Sequence, residues 1–507
     1  MHRLFGIETE YGISVEGSSA NDLIAESIAL VRSYAGPQVA EKWNYRGEDP
    51  RRDMRGFVVD HLSTNPDDAQ FDTPGRPQMS ISEERSDRVL GNGARLYNDH
   101  GHPEYSTPEC SNLQDLVAHD RAGERIVWEC ARARMQDAGG APQDHSPRIS
   151  IYKNNTDYHG ASYGTHECYL MRRDVPAEAL IQGLLPFFVT RQLFAGAGKV
   201  GAGTIHDPGF HLSQRADYFA VDASVDTLHN RPIVNTRDEP HASPSKYRRL
   251  HVIVGDANMS EWAAAMKIGT TSLVIGLLEQ GWTPPIKIKR PVETIKQISR
   301  DQTLQWCVEL DGGRSAYAID IQRVYLDEAK QILAGTSSDA DWTLAEWEAV
   351  LFDLADDIMR CADRVDWVAK RRLLEQFMAE EGASWSDPIM QSLDLAYHDV
   401  DPEAGLYHGL ENTGEIRRLV TDARISAAML CPPDDTRALI RGMFVRKFPE
   451  SVRSIGWNGI AFMYEGEDLL FDMNPLVEDN VGALNSEMAG ATSLGEVVDI
   501  IQRTPDT

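Results

Sequence analysis

The segment 91–107, GNGARLYNDHGHPEYST, constrains the fold most, because it alternates like a β-strand yet offers a polar face. If residues 94–99 form a strand, the two-residue period puts Arg95, Tyr97 and Asp99 on one face. Such a face is either solvated, which is the commoner case, or lines a site. The turn that follows, Gly-His-Pro-Glu-Tyr, can bring Glu104 back toward Asp99.

A second acidic strand is predicted at the start of the chain. Residues 4–14, LFGIETEYGIS, have the composition of a strand, and the same period puts Glu8 and Glu10 on one face. Adjacent carboxylates repel each other unless a proton or a cation lies between them, which suits a divalent metal ion with oxygen ligands. A solvated acidic strand explains this segment equally well, so both interpretations stay open here.

The charge balance limits the partners of the protein. The 507 residues include 78 acidic and 50 basic ones, for a formal net charge of -28. Neither nucleic acid nor an anionic membrane surface is therefore expected as a partner. A hydrophobic content of 42% is enough for one large core with a smaller domain, or for two or three ordinary domains.

Cysteine usage and the N-terminus indicate the compartment. The six cysteines are scattered, without a CxxC pair or zinc-type spacing, which predicts free thiols in a reducing environment. The first residues, MHRLFG, lack the apolar core of a signal peptide, and no apolar run approaches about 18 residues. We therefore expect a cytoplasmic protein.

Periodicity and breaker residues divide the chain. Strand and helix patterns alternate to about residue 254, and helical patterns predominate from 260 to 430. Residues 44–88 are rich in Asp, Arg, Pro and Gly, which predicts a long mobile loop just before the polar strand. The paired prolines after Cys431 predict a boundary, because they cannot continue a helix. A helix, a hairpin and a last helix then predict a small domain.

Two glycine-rich motifs lack the context that their functions require. Residues 196–201 match GxGxxG but follow a helical pattern, whereas a dinucleotide site needs strand, loop and helix in that order. Residues 160–164 match GxSxG, but a strand-like segment follows, whereas a nucleophile elbow leads into a helix. Turns are the better interpretation of both motifs.

The remaining candidates are acidic and histidine residues on several predicted strands, with arginines between them. A single residue of this kind is usually structural. Together they fit a sheet-built metal and nucleotide site, in which carboxylates hold magnesium and guanidinium groups hold phosphate.

Several long blocks of the chain resemble one known family. The segments GIETEYG, NGARLYNDHGHPEYSTPEC, YKNNTDYHGASYGTHECYL, LSQRADY, NTRDEPHASPSKYRRLHVIVGDANM and PPDDTRA are similar to blocks of the Pup ligase and Pup deamidase family. This family lies within the glutamine synthetase-like carboxylate-amine ligase superfamily. The resemblance implies an α+β fold, with a curved antiparallel sheet packed with helices in residues 1–430 and a small C-terminal α/β domain in residues 431–507.

The resemblance also implies roles for individual residues, with ATP and Mg²⁺ as cofactors. Asp99 is the implied catalytic carboxylate, either as the nucleophile or as the general base for water. The implied magnesium ligands are Glu8, Tyr97 and Glu104, with Glu10, His166 and His251 as further candidates. The implied nucleotide contacts are Arg95, Arg215 and Arg237 at the phosphates, Thr107, and Trp457 near the base.

Within the family, the long segment 44–88 resembles the deamidase/depupylase branch, since the ligases have a much shorter connection there. The implied activity is deamidation of the C-terminal glutamine of Pup and cleavage of the isopeptide bond in pupylated proteins, within the Pup-proteasome pathway. The sequence of residues 6–10, GIETE, is closer to the corresponding sequence of the ligases. A Pup-protein ligase and a catalytically silent Pup-binding regulator are the alternatives.

Overall fold

The computed structural model describes residues 3–16, 20–36, 39–62, 80–137, 148–157, 162–201, 209–477 and 481–503. The strands are β1 Phe5–Glu10, β2 Gly12–Val15, β3 Val39–Ala40, β4 Arg88–Leu90, β5 Arg95–Asp99, β6 His102–Ser106, β7 Ile149–Tyr152, β8 Thr165–Arg172, β9 Lys199–Val200, β10 Phe210–His211, β11 Val221–Ser224, β12 Pro232–Asn235, β13 Tyr247–Val252, β14 Cys307–Glu309, β15 Ser315–Tyr317, β16 Val452–Ile455, β17 Gly459–Tyr464 and β18 Glu467–Asp472. The α-helices are α1 Ala20–Arg32, α2 Ile81–Arg85, α3 Leu113–Asp137, α4 Ala177–Ala195, α5 Glu261–Glu279, α6 Pro291–Arg300, α7 Ala318–Leu333, α8 Ser338–Asp356, α9 Asp366–Glu381, α10 Pro388–Tyr397, α11 Leu406–Asn412, α12 Asp422–Leu430, α13 Ala438–Lys447, α14 Val481–Gly490 and α15 Leu494–Arg503. Among the described residues, no helix is long and apolar enough to cross a membrane.

A seven-stranded sheet organises the molecule. Its strand order is β13-β8-β1-β6-β5-β4-β3, and each neighbouring pair is antiparallel. Side chains in β1 and β8 alternate between buried and partly exposed positions, as expected for a sheet with one covered face. The α+β fold with an antiparallel sheet and packed helices is therefore confirmed.

Helices α4 and α5 cover the apolar face of this sheet. Both are apolar on nearly all sides and almost entirely buried, which is typical of helices in the centre of a large core. Phe187, Leu193, Trp262 and Ile268 from these helices share one cluster with Tyr169 of β8. Each fully buried side chain of this kind contributes roughly 1.5–3 kcal/mol. The polar face of the sheet is left open on the other side.

Several local predictions needed correction. The composition of residues 209–218 predicts a short strand, but only Phe210–His211 pair, with Lys199–Val200, before a short 3₁₀ helix at Ala216–Tyr218. The first strand is split in two, because β1 pairs with β6 and β8 whereas β2 pairs with β7. Residues 196–201 form a turn into β9, as predicted, while the predicted turn at 160–164 lies partly outside the described residues.

The C-terminal elements have a core of their own. Strands β16–β18 form a three-stranded antiparallel sheet that packs with α13, α14 and α15. This cluster also contains Ala40, Trp43 and Val89, which lie far away in the sequence. Trp43 pairs with Ile455 across a β-bridge. The residues that flank segment 44–88 thus belong to the core of the C-terminal elements.

The described parts of segment 44–88 are not featureless. Residues 45–47 form a 3₁₀ turn, Asp53 bridges to Arg237, and α2 is capped by Ser80 with a capping box to Glu83. Residues 63–79 lie outside the described residues. The mobility of the segment stays a prediction.

A buried ion cluster fixes α13 against the sheet. Arg437 Nε lies 2.8 Å from Glu109 Oε1, and Arg441 pairs with the other carboxylate oxygen. Arg441 Nε also donates to the carbonyl oxygen of Gly93, at 2.9 Å. Burial opposes ionisation of Glu109, but the two guanidinium groups lower its pKa to about 2.

We expect Glu109→Gln to lower the free energy of unfolding by about 3 kcal/mol, because two buried guanidinium groups lose their counter-ion. The contribution is present above the ordinary glutamate pKa of 4.5 and is lost as the pH falls toward 2, so the deficit should shrink in acid. Chemical denaturation at several pH values measures it. Glu129→Gln, on the exposed side of α3, is the matched control. A deficit equal to that of the control would contradict the cluster's role.

Candidate active site

Strand register brings the predicted site residues together. Glu8 of β1 lies opposite His166 of β8, and Glu10 lies opposite Glu104 of β6. Glu104 is also opposite Tyr97 of β5. Because directly opposed residues of antiparallel strands project from the same face, these five side chains lie on one side of the sheet. The polar face predicted for the segment 91–107 is thus present on the sheet.

This face forms the floor of a deep cleft of about 1390 Å³, open solvent included. Eleven of the twelve predicted site residues line it, namely Glu8, Glu10, Arg95, Tyr97, Asp99, Glu104, His166, Arg215, Arg237, His251 and Trp457. The twelfth, Thr107, lines an adjoining, mainly apolar pocket of about 570 Å³. Glu8, Arg249 and Trp457 line both spaces, so the pocket and the cleft are continuous.

The floor of the cleft can hold a cation. Glu8, Glu104 and His166 present ligand atoms within 4.8 Å of one another, and so do Glu10, Asp99 and Glu104. Glu104 is 1% exposed, and its Oε2 has no hydrogen-bond partner among the described residues. Burial, together with the charges of Asp99, Glu10 and Glu8, raises the pKa of Glu104 well above its usual range. A bound divalent ion would remove this excess of negative charge.

Glu8 and Tyr97 differ in charge state for physical reasons. Burial favours neutral Glu8, but a hydrogen bond from His166 and the charge of Arg249, whose Nη1 lies 3.7 Å away, hold its pKa far below the usual range. Burial raises the pKa of Tyr97 well above its usual range. The face therefore combines anionic carboxylate oxygens with a neutral phenol.

Asp99 is the ionised carboxylate at the end of β5. It pairs with Arg85 and lies 3.0 Å from Nδ1 of His100. Burial opposes ionisation, but the charges of His100 and Arg85 keep the pKa of Asp99 below its usual range. Its neighbours Glu10 and Glu104 are the proposed cation-binding groups. An ionised carboxylate here can attack a carbonyl carbon or accept a proton from water.

We expect the His100 imidazole to titrate above its ordinary pKa of 6.5. The charge of Asp99 raises the pKa of His100 to about 9, and water around the half-exposed ring should reduce the observed shift. The Asp99–His100 pair therefore stabilises the fold below pH 6.5, and this contribution is lost as the pH rises toward 9. NMR titration of the metal-free protein measures it. An unchanged His100 titration in Asp99→Asn would contradict this pairing.

Arginines line the cleft above the acidic floor. Arg215 is 1% exposed, and its Nε and Nη1 have no hydrogen-bond partner among the described residues. Burial lowers the pKa of Arg215 to about 10, so it remains charged at neutral pH. Such a buried, unpaired guanidinium suits an anionic ligand. Arg237 instead donates to Val225 O and to Thr227 Oγ1.

Asp256 holds the backbone that carries Arg215. Its Oδ1 accepts from Ser213 Oγ at 2.9 Å, and its Oδ2 accepts from the backbone N–H groups of Ala197 and Gln214 at 2.8 and 3.0 Å. These bonds link the end of α4 to the 213–215 turn. The geometry explains how a guanidinium can be presented to the cleft without a carboxylate partner of its own.

Sequence reasoning missed part of the site. Arg85 lies in a segment without hydrophobic periodicity, so nothing placed it beside Asp99. Arg95 lies 4.1 Å from the ring centroid of Trp43 and 4.0 Å from that of Tyr97, and it donates to Asp87 at 2.8 Å. These contacts depend on strand pairing that a single sequence does not show.

The basic cluster at residues 370–372, one of two predicted to contribute to a groove for an acidic partner, lies only partly at the surface. Lys370 is fully buried and pairs with Asp394, while its Nζ lies 2.7 Å from His398 Nε2. It therefore belongs to the interior between α9 and α10. Arg249, by contrast, does line the cleft.

Comparison with known proteins identifies the family. A family model described as Pup-ligase protein matches residues 3–461. A protein named depupylase from Acidothermus cellulolyticus is 43% identical, over 97% of this chain and 98% of the relative. A protein named Pup deamidase/depupylase from Mycolicibacterium smegmatis is 42% identical, over 98% of this chain and 99% of the relative.

Solved structures agree with this result. The Pup ligase PafA in its complex with Pup has a TM-score of 0.76 and 31% identity, covering 99% of this chain and 94% of the other. PafA in complex with ADP has a TM-score of 0.71 and 32% identity, covering 85% of this chain and 96% of the other. The fold is thus that of PafA. The chain belongs to the Pup-ligase protein family.

Proposed function

We propose that the protein is a hydrolase of the Pup-proteasome pathway. It deamidates the C-terminal glutamine of Pup to glutamate and cleaves the isopeptide bond between Pup and a protein lysine. The observation that carries this proposal is the complete acidic face around an ionised Asp99, in a chain 42–43% identical to relatives named for these two activities. An intact face of this kind argues against a silent Pup-binding regulator.

A nucleotide with Mg²⁺ fits the combined cleft and pocket. The solved complex of a family member with ADP supports a nucleotide site in this fold. We assign the base to the apolar pocket beside Thr107 and Trp457, and the phosphates to Arg95, Arg215 and Arg237. The cation ligands are Glu8, Tyr97 and Glu104, with Glu10, His166 and His251 available as further ligands. Bound Mg²⁺ would neutralise phosphate and carboxylate charge there.

Asp99 performs the chemistry on the carbonyl carbon of the amide. As a nucleophile, it forms a mixed anhydride and expels ammonia or the lysine amine, and water then cleaves the anhydride. As a general base, it takes a proton from the water that attacks the carbonyl. Arg85 and His100 hold the carboxylate ionised and oriented in both cases. Trapping with hydroxylamine, which captures an anhydride, separates the two routes.

The cleft also reconciles an acidic substrate with a chain of charge -28. Pup is an acidic modifier, and the guanidinium groups that line the cleft are those of Arg85, Arg95, Arg215, Arg231, Arg237 and Arg249. Opposite charges at the entrance guide such a substrate toward Asp99. Pup and pupylated proteins are therefore the proposed partners.

We further propose that residues 1–430 form the catalytic domain and residues 431–507 the small domain, with Trp43 and its neighbours packing onto the latter. The separate hydrophobic cluster of the C-terminal elements supports this division. A cytoplasmic location is proposed from the scattered free cysteines.

The activity is tested with glutamine-ended Pup, with glutamate-ended Pup plus an acceptor protein, and with a purified Pup conjugate, each with and without Mg-ATP. We expect ammonia from the first and loss of the conjugate in the third, both dependent on Mg-ATP. New conjugates and matching ADP release in the second reaction, without hydrolysis in the others, would instead establish a Pup-protein ligase. Binding without any turnover would establish a regulator.

A further inference from the structure

We propose that Glu8, Cys168 and His251 form a binding corner for a thiophilic divalent cation of the Zn²⁺ class, and that an ion held there inhibits the enzyme. The three side chains present one carboxylate, one sulfur and one imidazole ligand atom within 4.8 Å of one another. Binding at this corner is independent of the proposed function, whereas the inhibition rests on it.

Strand register creates the corner. Cys168 of β8 lies opposite both His251 of β13 and Gly6 of β1. Cross-strand pairing therefore sets the thiol and the imidazole side by side on neighbouring strands. Cys168 lines the apolar pocket, His251 lines the cleft, and Glu8 lines both. The corner therefore lies where the two spaces meet, beside the oxygen-rich floor.

The spacing fits a small tetrahedral ion. Zinc binds sulfur at about 2.3 Å and nitrogen or oxygen at about 2.0–2.2 Å, which places neighbouring ligand atoms about 3.4–3.6 Å apart. Cys168 Sγ lies 3.5 Å from Glu8 Oε1, and His251 Nε2 lies 3.9 Å from Glu8 Oε2. These distances involve different oxygens of Glu8, and one ligand atom from each residue lies within 4.8 Å of the others, so the triad contracts when it closes around an ion.

The imidazole is available as a ligand. His251 is 3% exposed, and its Nδ1 has no hydrogen-bond partner among the described residues. Its Nε2 lies 3.9 Å from Oε2 of Glu8, so the ring is placed beside the carboxylate with which it would share an ion. A buried imidazole facing a carboxylate and a thiol is a donor set that a soft cation satisfies.

Arg249 can remain in place when an ion binds. Its guanidinium donates to Cys168 Sγ at 3.1 Å and to the carbonyl oxygen of Glu239 at 2.9 Å. When sulfur bonds to the ion, the thiol proton leaves to solvent and Arg249 donates to the resulting thiolate, as outer hydrogen bonds to metal ligands commonly do. Mg²⁺ gains little from sulfur, so the corner discriminates by ligand softness.

Inhibition follows because an ion in the corner competes with Mg²⁺ for Glu8. Its carboxylate is the shared member of the corner and of the group with Glu104 and His166. A thiophilic ion at Cys168 draws Glu8 away from the oxygen-rich floor, where the proposed function needs it for Mg²⁺.

The binding test is a titration of the metal-free protein with Cd²⁺. The protein carries Cys307→Ser and Cys431→Ser, because these substitutions remove the two exposed thiols. We expect the ultraviolet charge-transfer absorption of a sulfur-cadmium bond to saturate at one equivalent. Cys168→Ser and Cys168→Ala in this background should abolish the band, and His251→Gln should weaken the affinity by about tenfold or more. Thermal melts check that each variant is folded. A band that persists without Cys168, or its absence from the parent protein, would overturn the site.

The inhibitory effect is measured separately, as hydrolysis in Mg-ATP with added Zn²⁺, relative to each variant's own rate without zinc. We expect Cys168→Ser to need at least about tenfold more Zn²⁺ for half inhibition. Equal sensitivity would overturn the inhibitory role, even where Cd²⁺ binds as expected. Failure of the proposed hydrolase activity would leave the Cd²⁺ titration unaffected, so the two proposals can fail independently.

Discussion

Asp99→Asn should reduce hydrolysis of glutamine-ended Pup and of Pup conjugates by about 10³-fold or more, while the protein still binds nucleotide and Pup. The substitution keeps the shape of the side chain but removes the charge that both routes require, since a neutral amide is neither a nucleophile nor a base. Asp99 pairs with Arg85 and His100 at the partly exposed edge of the cleft, so the loss of stability should be small.

Single-turnover rates with saturating Mg-ATP, together with binding isotherms for Pup, measure this effect. Asp174→Asn, which removes the carboxylate of an exposed ion pair with Arg172, is the matched control and should retain full activity. A rate within about tenfold of the unmodified protein would remove Asp99 from the mechanism. Loss of Pup binding together with activity would assign Asp99 to substrate binding instead.

Glu104→Gln should have opposite effects on stability and on activity. Without metal, the ionised carboxylate of Glu104 is buried near Glu8, Glu10 and Asp99, and its pKa is raised. A carboxyl group whose pKa is raised by folding stabilises the fold at pH values below its ordinary pKa of 4.5. At higher pH it lowers the free energy of unfolding. The neutral glutamine should therefore raise the melting temperature at pH 7, by about 2 °C or more, and the gain should vanish near pH 4. Activity should fall by about 10²-fold or more as the cation site loses a ligand.

Thermal melts with and without Mg-ATP test both parts. The unmodified protein should gain more stability from Mg-ATP than the variant, because ligand binding to the folded state alone stabilises it. Glu129→Gln on the exposed face of α3 should change neither quantity. A metal-free variant less stable than the unmodified protein would show that Glu104 is satisfied without a cation.

The two-residue alternation of side chains along a β-strand was enough to place Arg95, Tyr97 and Asp99 on one face, because this alternation is a local property of the chain. It could not show that Glu8 lies opposite His166, since the two lie 158 positions apart in the chain and pairing across that distance depends on the whole fold. The resemblance to known blocks supplied this information. Its residue assignments converge on one cleft and its adjoining pocket.

Segment 44–88 and the residues that flank it show why other parts were missed. Trp43 and Val89 belong to the core of the C-terminal elements, more than 300 residues away in the chain, so neither is part of a local hydrophobic period. Arg85 reaches Asp99 from the short helix α2, which is only five residues long. Short elements that depend on tertiary contacts leave little pattern in a sequence.

The proposed function depends on a bound nucleotide that supports hydrolysis rather than ligation. It is tested most directly by following one labelled Pup conjugate with limiting ATP and excess conjugate, while ADP is counted in the same reaction. We expect release of free Pup and unmodified protein over many turnovers, with far less than one ADP formed per bond cleaved. The Asp99→Asn variant should show no turnover. A conjugate that persists, or ADP formed in equal amount to each bond changed, would contradict it.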